Sequence, residues 1–199
     1  MNKISHIIIS RMKFSDKLLL EKYLKITKEI TIPSIKSQTN KNFVWGLIIN
    51  SEDINFVHDY LNIDFITFNS INKFINYVKN NNINIQTRHD IDDYMSDDYV
   101  EKIQEIYKEN IKKYNMFLIQ AQPVKVDYNT KKETKMTKYT NIRNSMFLSL
   151  CQKNVVNYIL ERNHGQMHQI TNNVITLPEG YVKWIIHGNN RSCKRNLTK

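Results

Sequence analysis

Through residue 115 the chain alternates short apolar runs with stretches whose apolar residues recur at helical spacing. Ile7-Ile8-Ile9 is a β-branched run that reads as a buried strand ending at Ser10-Arg11. Ser15 and Asp16 are plausible caps for a helix carrying Leu18, Leu19, Leu20, Tyr23, Leu24 and Ile26. Pro33 interrupts that pattern before Ser34 to Gln38, so the region predicts one helix or two short ones. Phe43 to Ile49 is the clearest strand, and Ser51-Glu52-Asp53 opens a helix with Phe56, Val57 and Tyr60 on its apolar side. Phe65 to Phe68 is a third strand, Ile71 to Val78 a helix, and Ile83 to Arg88 a fourth strand that delivers an acidic cluster to its C-terminal end. A long amphipathic helix then begins at Ser96-Asp97-Asp98, with Val100, Ile103, Ile106, Tyr107 and Ile111 as its stripe.

This alternation predicts an α/β fold with a mostly parallel, doubly wound sheet, in which ligands bind beyond the C-terminal ends of the strands. Beyond Asn115 the texture changes. Phe117 to Ala121 reads as a strand and Val124 to Tyr139 as a polar β-ribbon around Asn129 to Lys132, with room for a flexible lid. Asn144 to Leu160 reads as a helix, and Val182 to His187 as a final strand leading into Gly188-Asn189-Asn190. There is no repeat and no linker, so a single domain over 1–199 is expected.

Composition narrows the class but not the function. With 199 residues, 41% hydrophobic and 11% aromatic, the chain can bury a core of its own. It contains no apolar run of the roughly 18 residues that a bilayer span needs, and a soluble, cytoplasmic protein is expected. Cys151 and Cys193 form neither a metal knuckle nor a disulfide framework, which points to a reducing compartment and argues against zinc. The net charge of +10 would suit nucleic acid, an anionic surface or phosphorylated substrates. Its lysines and arginines are scattered, apart from the basic end at Arg191, Lys194, Arg195 and Lys199, so charge alone does not choose.

Chemistry concentrates in Asp90-Ile91-Asp92-Asp93. Three carboxylates in four residues repel one another, and a hard divalent cation offsets that repulsion. In an extended segment Asp90 and Asp92 point to the same side, so both reach one Mn²⁺ or Mg²⁺ while diphosphate oxygens complete its shell. The plainer alternative is a solvated acidic loop favoured by the dipole of the following helix, and that alternative holds for Asp97 and Asp98 in its first turn. His187, at a strand end, is a further candidate metal ligand; His164 and His168, four residues apart, form a weaker pair because Gly165 lies between them. Arg11 and Arg88 each end a strand on the ligand edge, where a guanidinium meets phosphates or pairs with the neighbouring carboxylates. Trp45 and Trp184 lie inside apolar strands and read as core.

Taken in order, several segments resemble the GT-A glycosyltransferases, and within them the rhamnosyltransferase group frequent in bacteria and large viruses. They are Ser10-Arg11, Thr31-Ile32-Pro33-Ser34-Ile35 with Gln38-Thr39, Phe43-Val44-Trp45, Thr87-Arg88-His89-Asp90-Ile91-Asp92-Asp93, Asn144 to Leu150, and Trp184-Ile185-Ile186-His187-Gly188-Asn189-Asn190. The resemblance covers nearly the whole chain and implies a GT-A-like doubly wound mixed sheet flanked by helices. It divides the domain into a nucleotide-sugar-binding half, 1–122, and an acceptor-side half, 123–199. It implies transfer of a sugar, rhamnose or another hexose, from a nucleoside diphosphate donor to a hydroxyl of a glycan or glycoconjugate. Asp90, Asp92 and His187 would hold Mn²⁺ or Mg²⁺, while Ser10, Arg11, Arg88 and Asp90 would contact the nucleotide.

An inverting reaction needs a proton acceptor, for which Asp93, His164, His168 and Glu179 are candidates. Such transferases often carry an acidic residue after the Phe-Leu-Ser-Leu run, where this chain has Cys151-Gln152. Two rivals follow from the same residues. A metal-dependent nuclease or phosphodiesterase would need a second acidic cluster at another strand end, and a basic nucleic-acid module would need aromatic residues interleaved with Lys or Arg on one face.

Overall fold

The computed structural model describes residues 4–135, 147–162 and 164–188, with the backbone alone at 164 and 165. Four parallel strands form its first half: β1 (His6–Met12), β2 (Val44–Ile49), β3 (Ile66–Phe68) and β4 (Ile85–Arg88), in the order β3-β2-β1-β4. Ile7, Ile8 and Ile9 are all fully buried because the sheet is covered on both faces, the arrangement that gives parallel strands continuous apolar runs. Ile8 belongs to one core layer, with Leu20, Leu24, Val100 and Ile103, and Ile7 and Ile9 to the other, with Phe74 and Val78. β2 carries Gly46 where the sheet leaves no room for a side chain: a Cβ there would lie 2.8 Å from Phe68 and 3.0 Å from Ile9.

The helices follow the apolar periodicity. Asp16 caps α1 (Lys17–Ile26), its carboxylate accepting from Leu18 N at 2.9 Å, and Leu20, Tyr23, Leu24 and Ile26 are buried. The choice between one helix and two resolves into a continuous rod. A π turn over Thr27–Thr31, marked by Ile32 N donating to Thr27 O, joins α1 to α2 (Ile32–Ser37), in whose first turn Pro33 sits. Proline has no N–H for the preceding turn and its ring crowds the carbonyl four residues back; widening that turn removes the conflict without ending the helix. α3 (Ile54–Leu61) ends at Asn62, which takes a left-handed φ of 48°, and Ser70 caps α4 (Ile71–Asn80) by accepting from Lys73 N. α5 (Tyr99–Asn110) buries Val100, Ile103, Ile106 and Tyr107 of the predicted stripe, while Ile111 is its C-cap and only half-buried.

The second half departs more from expectation. A short strand, β5 (Tyr94–Met95), follows the acidic cluster. β6 (Met116–Asp127) joins the expected strand and the start of the expected ribbon into one element, and β7 (Glu133–Thr134) is the ribbon's described return arm. The helix expected over Asn144 to Leu160 is instead β8 (Leu148–Gln152), inserted antiparallel between β4 and β6 with all five residues buried. A strand buried on both faces presents the same unbroken apolar run as a buried helix, and periodicity does not separate the two.

Residues 153–162 do not continue as helix because two glutamine side chains satisfy their backbone. Gln152 Oε1 accepts from Val156 N and Asn157 N, Gln86 Oε1 accepts from Ile159 N, and both amides donate to Asn157 O. β9 (Val174–Ile186) is longer than expected. It runs parallel to β6, with a register shift that loops out 178–181, and pairs antiparallel with β5. Among the described residues the strands form one mixed nine-stranded sheet, ordered β3-β2-β1-β4-β8-β6-β9-β5 with β7 beside β6. The ribbon positions 136–139, Asn144 to Met146, Asn189-Asn190 and the basic end lie outside the described residues. Among the described residues no helix is long and apolar enough to cross a membrane.

Candidate functional site

The acidic cluster sits where β4 ends beside β1, the position at which strand order reverses and open α/β sheets form a crevice. His89 N still bonds to Ile9 O, and the chain then turns tightly, with Asp93 N on Asp90 O. Ile91, 2% exposed, plugs the loop into the core. The π turn holds it from above: the Thr27 hydroxyl is shared between Tyr23 O at 2.7 Å and Ile91 O at 2.8 Å, and the Thr31 hydroxyl between Ile91 O at 2.7 Å and Asp93 O at 2.9 Å.

Pairing of β5 with β9 brings the end of β9 alongside this loop. Asp93 Oδ1 accepts from Ile185 N at 2.8 Å, and Asp92 Oδ2 lies 2.8 Å from His187 Nε2. An ionised Asp92 requires that Nε2 carry the hydrogen of this bond. The His187 ring meets Tyr23 edge-on at 5.1 Å, and Tyr23 in turn packs on Phe14 at 4.7 Å.

Burial pushes the Asp90 carboxyl up from 3.8 to about 6; Asp92 adds to the shift, while Arg88 and Arg11 oppose it. The Asp93 carboxyl is held well above the ordinary carboxylate range, again by burial first and then by Asp92 and Asp90, with the Ile185 amide pulling the other way. Burial lowers the Arg88 guanidinium, which Asp90 partly offsets and Arg11 reinforces. Arg11 is exposed at the end of β1, and its Nη2 donates to Leu160 O at 3.3 Å. Negative charge is therefore concentrated in a loop whose shape is imposed by Thr27, Thr31 and Ile185, and a cation or proton entering it is favoured.

On the same edge of the sheet, at the C-terminal ends of β1 and β2, opens a cleft of about 490 Å³ lined by Lys13, Phe14, Asp16, Lys17, Asn50 and Asp53 among others. Asp53 is 4% exposed. Its Oδ2 accepts from Asn50 Nδ2 at 3.1 Å, while Oδ1 faces Lys17 Nζ at 3.7 Å, beyond hydrogen-bond reach. Sequence reasoning treats Asp53 only as a helix opener; the one signal that could have marked it is its position directly after the clearest strand.

The other sequence-derived candidates are placed as follows. Ser10 is 1% exposed, and its hydroxyl accepts from Trp45 Nε1 at 3.2 Å, so it lies in the core beneath the ligand edge. His168 lies in the 3-10 segment His164–Gln169, whose Met167 packs in the core layer on the sheet face opposite Tyr23; the His164 side chain is outside the described residues. Glu179 is in the looped-out part of β9 and pairs with Lys135 at 3.4 Å. The structure thus brings Arg88, Asp90, Asp92, Asp93 and His187 together, with Arg11 close enough to act on Asp90, and it does not bring Ser10 or Glu179 into that group. Among the described residues no three His, Cys, Asp or Glu side chains converge as a ready-made metal cage.

No family model matches the sequence, and neither does any curated protein. Solved structures do share the fold. The crystal structure of S. aureus TarS aligns at a TM-score of 0.53 and 12% identity, over 92% of this chain and 37% of that one. TarS 1-349 in complex with UDP-GlcNAc aligns at 0.53 and 10% identity, over 94% and 60%. A cytidylyltransferase from Leptospira borgpetersenii aligns at 0.50 and 12% identity, over 87% and 75%. This chain therefore spans little more than a third of full TarS and about three fifths of its 1-349 portion. The GT-A-like α/β fold expected from the sequence, a mixed sheet flanked by helices, is the fold observed.

Proposed function

We propose that this chain is a cation-assisted glycosyltransferase that moves a sugar from a nucleoside diphosphate donor to a glycan hydroxyl. The observation that carries this reading is the meeting of Asp92 and His187, 95 residues apart in sequence, at the reversal point of the sheet beside Arg88 and Asp90. A carboxylate oxygen and an imidazole nitrogen now joined by one hydrogen would be a donor pair for Mn²⁺ or Mg²⁺ in the tautomer that carries the ring hydrogen on Nδ1, which frees the Nε2 lone pair, with Asp90 nearby. Two protein donors do not complete a shell, so the remaining positions fit diphosphate oxygens. When bound, such a cation offsets the charge that builds on the departing diphosphate.

Arg88 and Arg11 supply fixed positive charge to the phosphates. Phe14 offers an apolar wall for a base, and Asp53 Oδ1 an acceptor for a ribose hydroxyl, in the adjoining cleft. Asp93, His164 and His168 are the candidate proton acceptors. Asp93 adjoins Asp92, and its upward-shifted pKa is the direction a base requires. Rhamnose or another hexose as the donor sugar is part of the proposal.

The test is a thermal-shift screen against nucleoside diphosphates and sugar nucleotides with Mn²⁺, with Mg²⁺ and with chelator, repeated on Asp92→Ala. Stabilisation follows ligand affinity by mass action. A cation-dependent shift for one nucleotide, lost in Asp92→Ala, is the expected result; no shift with any nucleotide would overturn the proposal. The likeness to a cytidylyltransferase favours a second reading, nucleotidyl transfer. That reading predicts pyrophosphate release from a nucleoside triphosphate and a sugar phosphate, which a glycosyltransferase does not give.

A further inference from the structure

Thr27 and Thr31 are fully buried, yet neither is spent on the core. Both hydroxyls reach from the π turn to the loop that carries Asp92: Thr31 to the carbonyls on either side of it, Ile91 O at 2.7 Å and Asp93 O at 2.9 Å, and Thr27 to Ile91 O at 2.8 Å while it is shared with Tyr23 O of its own helix at 2.7 Å. Tyr23, one turn earlier on the same rod, meets the His187 ring. Residues 23, 27 and 31 therefore face the site in register across the junction of α1 with the π turn. On its other side the turn is seated against the end of β9: Ile30 packs with Val124, Val126 and Ile185, and Glu29 accepts from Tyr128. The turn thus touches both strand and loop, the two parts that present His187 and Asp92.

We infer that the π turn is a positioning clamp for the cation and diphosphate site, with Thr27 and Thr31 as positioning residues that set the Asp92 carboxylate relative to His187. This rests on the transferase reading of that site. Groups one step behind a ligand-holding residue typically change metal affinity by about 10- to 100-fold when removed.

Thr31→Val keeps the shape of the side chain and removes the hydroxyl; Thr31→Ser keeps the hydroxyl. Mn²⁺ and nucleoside diphosphate affinities would be measured by calorimetry on wild type, both variants and Asp92→Ala. Ligand-free hydrogen exchange would be followed at the Ile185 amide and at the β1 amides. The expected result is a roughly tenfold or greater loss of Mn²⁺-dependent affinity in Thr31→Val with near-wild-type binding in Thr31→Ser. Exchange at Ile185 should be faster in Thr31→Val while β1 stays protected. Unchanged affinity in Thr31→Val, with binding abolished in Asp92→Ala, overturns the clamp and leaves the transferase reading standing. Uniformly faster exchange across β1 and β9 in Thr31→Val also overturns it, showing a role in global stability alone. If Asp92→Ala binds as wild type does, the site reading falls and the clamp with it.

Discussion

His6 offers a measurement that reads the packing of the first strand directly. It is 2% exposed, its Nε2 lies 2.8 Å from Thr87 Oγ1, and burial holds its pKa down from 6.5 to about 3. In the unfolded chain the ring titrates near 6.5. Below that pH the unfolded state takes up a proton that the folded state refuses. Its contribution to stability is therefore complete above pH 6.5 and is lost as pH falls toward 3, by at most about 1.4 kcal/mol per pH unit. Integrated from about pH 7.5 to about pH 5, the loss from this one ring is about 2 kcal/mol. His89, 1% exposed and likewise lowered to about 3, adds a loss of the same sign.

His6→Gln has no proton to take up, so the stability difference between wild type and variant should shrink by about 2 kcal/mol over that interval, while the contributions of His89 and the carboxylates cancel in the difference. Urea unfolding followed by tryptophan fluorescence in chelating buffer measures it. A difference that is the same at both pH values would mean that His6 is not held neutral between β1 and β4, and the burial argument would fail.

Two further substitutions test other parts of the structure. Gly46→Ala places a methyl 2.8 Å from the ring of Phe68, which is itself wedged against Phe74 and Tyr77; a loss of about 1–3 kcal/mol in urea unfolding is expected. A loss below about 0.5 kcal/mol would show that the Phe68 layer is free to move. Asp93→Asn leaves an oxygen for the Ile185 amide but cannot accept a proton. Because folding raises the Asp93 pKa, its ionised form costs stability at neutral pH. The variant should therefore melt higher than ligand-free wild type near pH 7, with the gain fading as pH falls toward the unfolded value of 3.8. Turnover of the same variant separates two roles: a fall on the order of 10²-fold or more marks a proton acceptor, and activity within a few-fold marks a brace.

Local sequence determined most of the first half. Ile7 to Ile9, Phe43 to Ile49 and the stripe of α5 are legible because a strand buried on both faces and an amphipathic helix impose different periods on the chain, and those segments show them cleanly. The acidic cluster was visible as three neighbouring carboxylates at a strand end, but its composition alone did not separate a cation site from a solvated acidic loop.

What the tertiary structure alone decided lies in contacts between distant segments. Whether Leu148 to Gln152 became helix or strand depended on an open edge between β4 and β6, and on the amides of Gln86 and Gln152 reaching the backbone of 156–159. The resemblance alone offered Ser10 as a nucleotide contact, and which way its hydroxyl points was set by Trp45 on the neighbouring strand. The roles of Asp53 and Thr31 were not legible from their own segments, since a helix opener and a helical threonine look alike whether they face solvent, cleft or loop. Asp92 and His187 were each visible as candidates, but their 2.8 Å separation was set by the β5–β9 pairing that joins segments nearly a hundred residues apart. Periodicity reports the environment of one segment at a time, and a site assembled from several segments exists only once the sheet has closed.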